Sequence, residues 1–321
     1  MDRFPKKSLM ILAAFLIFVV LTGCGKAHPS EPVGLQTAVL EEEAVALAES
    51  PAAIPKAVSA VAAGRLTKSN AHAVIDYSNT ADGYVMVRYT AATTQRLKAQ
   101  VKGPTTTYTY NLTAGLWAAF PLSDGNGRYQ VSVYRNVEGS KYAAVLSKTL
   151  EVSLTDEFAP FLHSNQFVDY DAAPKTVAVA RTLMQSAATE LEKVAKVYDY
   201  VIGNITYDRQ LAKTVKSGYV PVLDAVLEKK SGICFDYAAL MTGMLRSQGV
   251  PCKLVVGYAG SAYHAWISVW TRETGWINGA VYFDGVNWQR MDPTFASSGR
   301  NDASILKFIG DGKNYTAKYF Y

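Results

Sequence analysis

The sequence predicts an α+β protein in which an antiparallel β-sandwich precedes a mixed helix-and-strand domain, behind a leader and a tether. Three observations carry this. From about Leu66 to Leu154, apolar and aromatic residues alternate with period two between turn clusters. From about Pro174 the pattern becomes helical spacing interleaved with short strands. At the start, Arg3, Lys6 and Lys7 precede an apolar run from Leu9 to Leu21. That is the layout of a secretory signal peptide, shorter than the roughly 20 residues a membrane-spanning helix needs. The expected boundaries are 1–23 for the leader, 24–63 for the tether, 64–155 for the sandwich and 156–321 for the mixed domain.

At 321 residues, 49% hydrophobic and 12% aromatic, the chain can fill two ordinary cores and is neither disordered nor fibrous by composition. The net charge is +5. Losing residues 1–23 removes Arg3, Lys6, Lys7 and Asp2 and leaves about +3. That charge is spread out, with no Lys/Arg-rich block, so nothing points to a nucleic-acid partner.

The apolar run ends in Leu21-Thr22-Gly23-Cys24. This tetrad resembles the lipobox of bacterial lipoproteins. The resemblance implies that Cys24 becomes the lipidated N-terminus, and that the rest is extracytoplasmic and held to a bacterial membrane or cell surface. Residues 24–63 contain Pro29, Pro32, Pro51, Pro55, many Ala and the acidic cluster Glu41–Glu43. Around Gln36 to Glu49 a helix can form, but there is little to bury, so the stretch reads as a spacer.

In the sandwich, Tyr84–Tyr89 and Arg128–Tyr134 are strands rich in β-branched and aromatic residues, and Thr105–Leu112 and Ala143–Leu154 add others. Asn79–Gly83, Lys102-Gly103-Pro104 and Ser123–Gly127 are the turns between them. Six or seven short strands in about 90 residues suggest an immunoglobulin-like architecture, without the Cys pair of antibody domains. No site is expected in it, and its Tyr and Thr side chains read as sheet surface.

The chemistry lies in the last segment. Leu191, Val194, Ala195, Tyr198, Val201 and Ile202 mark a helix, and a shorter one follows Pro221. Then Lys230-Ser231-Gly232-Ile233-Cys234 leads into a helix with an apolar stripe of Tyr237, Ala238, Met241, Met244 and Leu245. Gly249 and Pro251 end it. Gly232 is read as a permissive turn. A thiol at a helix start feels unpaired N–H groups and the positive end of the macrodipole, which favour the nucleophilic thiolate. Lys253–Tyr258 is a strand, and His264 opens the next, 30 residues after Cys234. Its near-neutral pKa suits a base for a thiol. A hairpin turning at Asp284-Gly285 leads to Asp292, 28 residues after the His and able to orient the imidazole.

Gly232-x-Cys234 on a helix, His264-Ala265-Trp266 on a strand and Asp292-Pro293-Thr294 closing another resemble the transglutaminase-like superfamily of papain-fold thiol enzymes. Arg246-x-x-Gly249-Val250-Pro251-Cys252 and Gly257-Tyr258 fit the same pattern. The resemblance covers roughly residues 190 to 297. It implies a papain-like transglutaminase core preceded by the β-sandwich, with a Cys234-His264-Asp292 triad performing acyl transfer on amides. The substrate class implied is a peptide or protein amide, with hydrolysis and amine transfer both open; cell-wall peptides follow from location alone. Such sites need an oxyanion donor besides the Cys N–H, and Tyr207 and Asn204 are the candidates.

Blander readings stand beside these. An oxidising exterior permits a Cys234–Cys252 disulfide, although Cys252 also reads as inert core. Asp236 reads as a first-turn helix acid, and Trp266 as a shield for the site or as core. His28, His72 and His163 show no partner in the sequence. No cofactor is called for, and one thiol with one His falls short of the three or four ligands zinc needs. The alternative function is a non-catalytic cell-surface binding or scaffolding protein using the sandwich.

Overall fold

The computed structural model describes residues 59–272, 275–278, 281–283, 288–290 and 314–321. Eight strands build the sandwich. β1 (Thr67–Ser69), β2 (Ala73–Asp76), β3 (Tyr84–Tyr89) and β6 (Trp117–Pro121) form one antiparallel sheet in the order β1-β2-β3-β6. β4 (Leu97–Lys102), β5 (Thr107–Leu112), β7 (Gly127–Glu138) and β8 (Lys141–Val152) form the other, in the order β5-β4-β7-β8. Alternation decides the faces: Leu97, Ala99 and Val101 point into the core with Tyr108, Tyr110, Val131 and Val133, while Lys98 and Gln100 lie on the outer face. The period-two runs and the three turn clusters fall where expected. Of the strands not singled out from the sequence, β1, β2 and β6 are short and alternate little, whereas β4 alternates strictly.

The chain leaves β8 for a single 3-10 turn, Ala159–Phe161, whose Pro160 lies against Gly83 just before β3. Gly83 takes φ +82° there, and a Cβ would lie 2.5 Å from the Pro160 nitrogen. The rings of Tyr84 and His163 meet with centroids 4.5 Å apart, and His72 stacks on Tyr89 at 6.4 Å. These two histidines thus belong to the packing of the sandwich and of the segment leaving it.

Helices α1 (Pro174–Met184) and α2 (Glu190–Asn204) follow, then the two-residue strand β9 (Thr206–Tyr207), α3 (Arg209–Thr214) and α4 (Leu223–Lys229). Local capping explains their starts. Thr189 Oγ1 accepts from Glu192 N at 3.1 Å, and Asp208 accepts from Leu211 N at 2.8 Å. Asp224 of α4 caps α1 by accepting from the N–H of Lys175 and from both the N–H and the hydroxyl of Thr176.

Strand β10 (Ser231–Gly232) leads into α5 (Cys234–Arg246). The sequence suggested an amphipathic stripe here. Instead every residue of α5 from Asp236 to Arg246 is buried. The helix is central: α1, α2 and α4 pack around it, and the sheet β13-β12-β11-β16 covers another side. That sheet consists of β11 (Cys252–Ala259), β12 (Ala262–Thr271), β13 (Gly275–Asn278) and β16 (Tyr315–Phe320). β14 (Val281–Phe283) pairs antiparallel with β15 (Trp288–Arg290), while the expected turn at Asp284-Gly285 lies outside the described residues.

The described residues cluster as one compact unit. The boundary near residue 155 separates element types, but side chains cross it. Tyr108 and Tyr110 of β5 meet Tyr321 edge-on at 5.6 and 5.8 Å. Arg246, fully buried, donates to the backbone oxygens of His163, Cys252 and Tyr321 at 2.8, 2.7 and 2.5 Å.

Candidate active site

Cys234 is the first residue of α5, and Ile233 in extended conformation precedes it. The turn is held by Asp236, whose carboxylate accepts from Ile233 N at 2.8 Å and from the Tyr219 hydroxyl at 2.7 Å. Asp236 is fully buried, and burial pushes its pKa up despite these two donors. It is therefore more than a first-turn acid, because it fixes the backbone on which the thiol sits. Gly232 also differs from its expected role. A Cβ there would meet Asp236 Cβ at 2.6 Å, so the residue is needed for close approach of that side chain rather than for an unusual φ.

Tyr207 is brought to the thiol by a two-residue parallel pairing with Gly232. Thr206 N donates to Lys230 O and Asp208 N to Gly232 O, each at 2.9 Å. His264 lies on β12 opposite Gly257 of β11. It is buried, with its ring roughly parallel to that of Trp266 at 6.3 Å and tilted against Tyr315 at 6.4 Å. Trp266 is itself buried against Tyr315, edge-on at 5.1 Å, so packing and support of the His are one role.

Cys234, His264 and Tyr207 line a single cleft of about 550 Å³, and the thiol is partly exposed to it. Asn204 is not among the lining residues. It is exposed at the end of α2, and its amide donates back to Tyr200 O at 2.8 Å. Cys234 and Cys252 are both free, which removes the disulfide. Cys252 is buried beside Thr242, and burial raises its pKa to about 11, so it is an inert thiol. Asp292 and Cys24 lie outside the described residues.

The cleft has a wall the sequence did not reveal. Lys98, Thr109 and Asn111 of the sandwich face into it, with Gln166, Lys216, Tyr219 and Tyr321. β5 fell within an expected strand, whereas β4 was not singled out, and nothing in the sequence placed their outer face beside residues more than a hundred positions away. The aromatic-rich Tyr315–Phe320, not singled out from the sequence, forms β16, and Tyr321 just after it lines the cleft.

A thiol at the start of a central helix, facing a cleft that also holds a histidine from an antiparallel sheet, is the arrangement of papain-type proteins. Residues 177–293 match the family model of the transglutaminase-like superfamily, so the chain carries a transglutaminase-like domain of papain-type fold. It is 28% identical over 178 residues to the uncharacterized protein YebA of Bacillus subtilis, covering 49% of this chain and 24% of that one. It is 31% identical over 80 residues to a protein-glutamine gamma-glutamyltransferase of Pseudomonas aeruginosa, covering 21% and 12%. It is 32% identical over 127 residues to the mouse kyphoscoliosis peptidase, covering 39% and 19%. The chain thus spans a quarter or less of the length of these relatives.

Proposed function

We propose that this protein is an extracytoplasmic thiol enzyme, lipid-anchored through Cys24, that acts on amide or peptide bonds through Cys234, His264 and Asp292. One observation supports it above the others: an unbridged, partly exposed thiol at the start of a helix shares a cleft with a buried histidine. In this reading His264 takes the thiol proton and the sulfur attacks the carbonyl carbon of a carboxamide or peptide. The tetrahedral oxyanion is met by the Cys234 N–H and the Tyr207 hydroxyl. The C–N bond then breaks, the amine leaves with the proton carried by the imidazolium, and a thioester remains. Water or a second amine attacks the thioester, His264 again taking the proton, and the thiol is regenerated. Asp292 holds the imidazole in the productive tautomer. One relative is named a gamma-glutamyltransferase and another a peptidase, which supports keeping both acceptors in this reading. Peptides of the cell envelope are the substrates in reach of an anchored enzyme.

The test uses wild-type protein and Cys234→Ala on glutamine-containing peptides, with and without a primary amine. Release of ammonia, amine incorporation or peptide cleavage by wild type alone, with a mass-spectrometric acyl adduct on Cys234, is the expected result. Equal background rates in both proteins overturn it. Radiolabelled palmitate, incorporated by cells expressing wild type and not Cys24→Ala, tests the anchor separately.

A further inference from the structure

The sandwich contributes a charge to the catalytic cleft. Lys98 lies on the outer face of β4, in register with Asn111 of β5. Its ammonium donates to Asn111 Oδ1 at 2.6 Å, which occupies one of three donors and leaves two. Among the described residues no carboxylate pairs with it. Lys216 is the other cation among the described lining residues, and no Asp or Glu is among them. Lys98 is half-buried, and burial, reinforced by Arg96, pulls its pKa down. An under-compensated cation in a cleft attracts an anion, and half-burial strengthens that attraction over what a surface lysine offers. The position is rigid, because Gln166 brackets the Asn111 backbone with two hydrogen bonds. A cleft of about 550 Å³ holds a short peptide segment rather than a single small group.

We propose that Lys98 reads a carboxylate on the acyl donor, so that the substrate class is an acidic peptide whose reacting amide lies within a few residues of an Asp, Glu or free carboxyl group. This rests on the thiol-enzyme reading above for the identity of the substrate, but not for the anion site itself. The sandwich is then part of the active site, and specificity is set across the boundary between the two halves of the chain.

Binding separates the two readings. Full-length Cys234→Ala protein is titrated with fluorescein-labelled pentapeptides, each with one glutamine and an aspartate at every other position in turn, beside asparagine isosteres. For at least one position the aspartate peptide binds about tenfold tighter than its isostere, a preference of about 1.4 kcal/mol. The preference shrinks as salt rises. Lys98→Met removes it, Lys98→Arg keeps it, and Lys216→Met leaves it in place. No preference at any position, no measurable binding, or a preference that follows Lys216 instead overturns the assignment. Turnover by the protein with Cys234 intact is scored apart. Turnover without a carboxylate preference sinks the inference alone, and preference without turnover sinks the enzyme reading alone.

Discussion

The side-chain amide of Gln166 makes with Asn111 the two hydrogen bonds that a further strand would have made at the edge of the second sandwich sheet. Nε2 donates to Asn111 O at 2.7 Å, and Oε1 accepts from Asn111 N at 2.9 Å. β5 is the outermost strand of that sheet, so the amide stands in for a neighbour and ties the sandwich to the segment leading into the helical half. Gln166→Ala exposes both groups without replacing them. The expected loss is about 1–3 kcal/mol, read as a lower denaturant midpoint. Gln166→Glu does no better, because its carboxylate cannot donate to the Asn111 carbonyl. An unchanged midpoint for both variants would refute the bridging role.

Arg246 is a lock of a different kind. One fully buried guanidinium satisfies three backbone oxygens from segments that meet only in the folded state. Burial lowers its pKa to about 10, so it stays charged at neutral pH. Arg246→Met fills most of the space but orphans three acceptors, and a loss of at least about 3 kcal/mol is expected in urea unfolding. Arg246→Lys recovers little of it, since a single ammonium cannot span the three directions. Near-wild-type stability for Met would contradict this account.

Gly257 sits opposite His264 on β11. A Cβ there would lie 2.1 Å from Thr316 O and 2.9 Å from both Ala317 Cα and the Trp266 ring. Gly257→Ala therefore has to push β16 away from β11, where the register already shifts between Val256 and Gly257. Amide exchange in β16 should quicken well before global stability falls, with the aromatic support of His264 loosened. Protection in Tyr315–Phe320 equal to wild type would rule this out.

Asp236 makes stability depend on pH. Its folded pKa is raised above 3.8 by burial, so between 3.8 and that higher value the folded state binds more protons than the unfolded one. Stability from this group is therefore fully present below 3.8 and falls as pH rises through the folded value. Asp236→Asn keeps one acceptor for Ile233 N or the Tyr219 hydroxyl and cannot ionise. Across that window the variant should lose the downward slope that wild type shows. Parallel curves for the two proteins would mean the slope comes from elsewhere.

Much of the fold was legible because its rules are local. Period two identified Tyr84–Tyr89 and Arg128–Tyr134 as strands, and helical spacing identified α2 and α5. Cys234 at a helix start and His264 on a strand followed from Gly, Pro and alternation within a few residues of each. Asp236 and Gly232 were misjudged for a physical reason: their roles depend on one side chain folding back against one backbone position, which spacing does not express. α5 looked amphipathic because its polar residues, Thr242 and Arg246 among them, are buried with partners rather than exposed.

By itself the sequence determined the class of protein: two kinds of periodicity in order, and a thiol and an imidazole each in a local setting suited to its chemistry. Only the tertiary structure decided that Cys252 stays a solitary core thiol, that Asn204 turns back onto its own helix, and that Lys98 and Asn111 wall the cleft. The reason is range. Capping, alternation and turn residues act over a few positions of chain, whereas a cleft is closed by side chains from remote segments whose meeting is set by how whole sheets and helices pack.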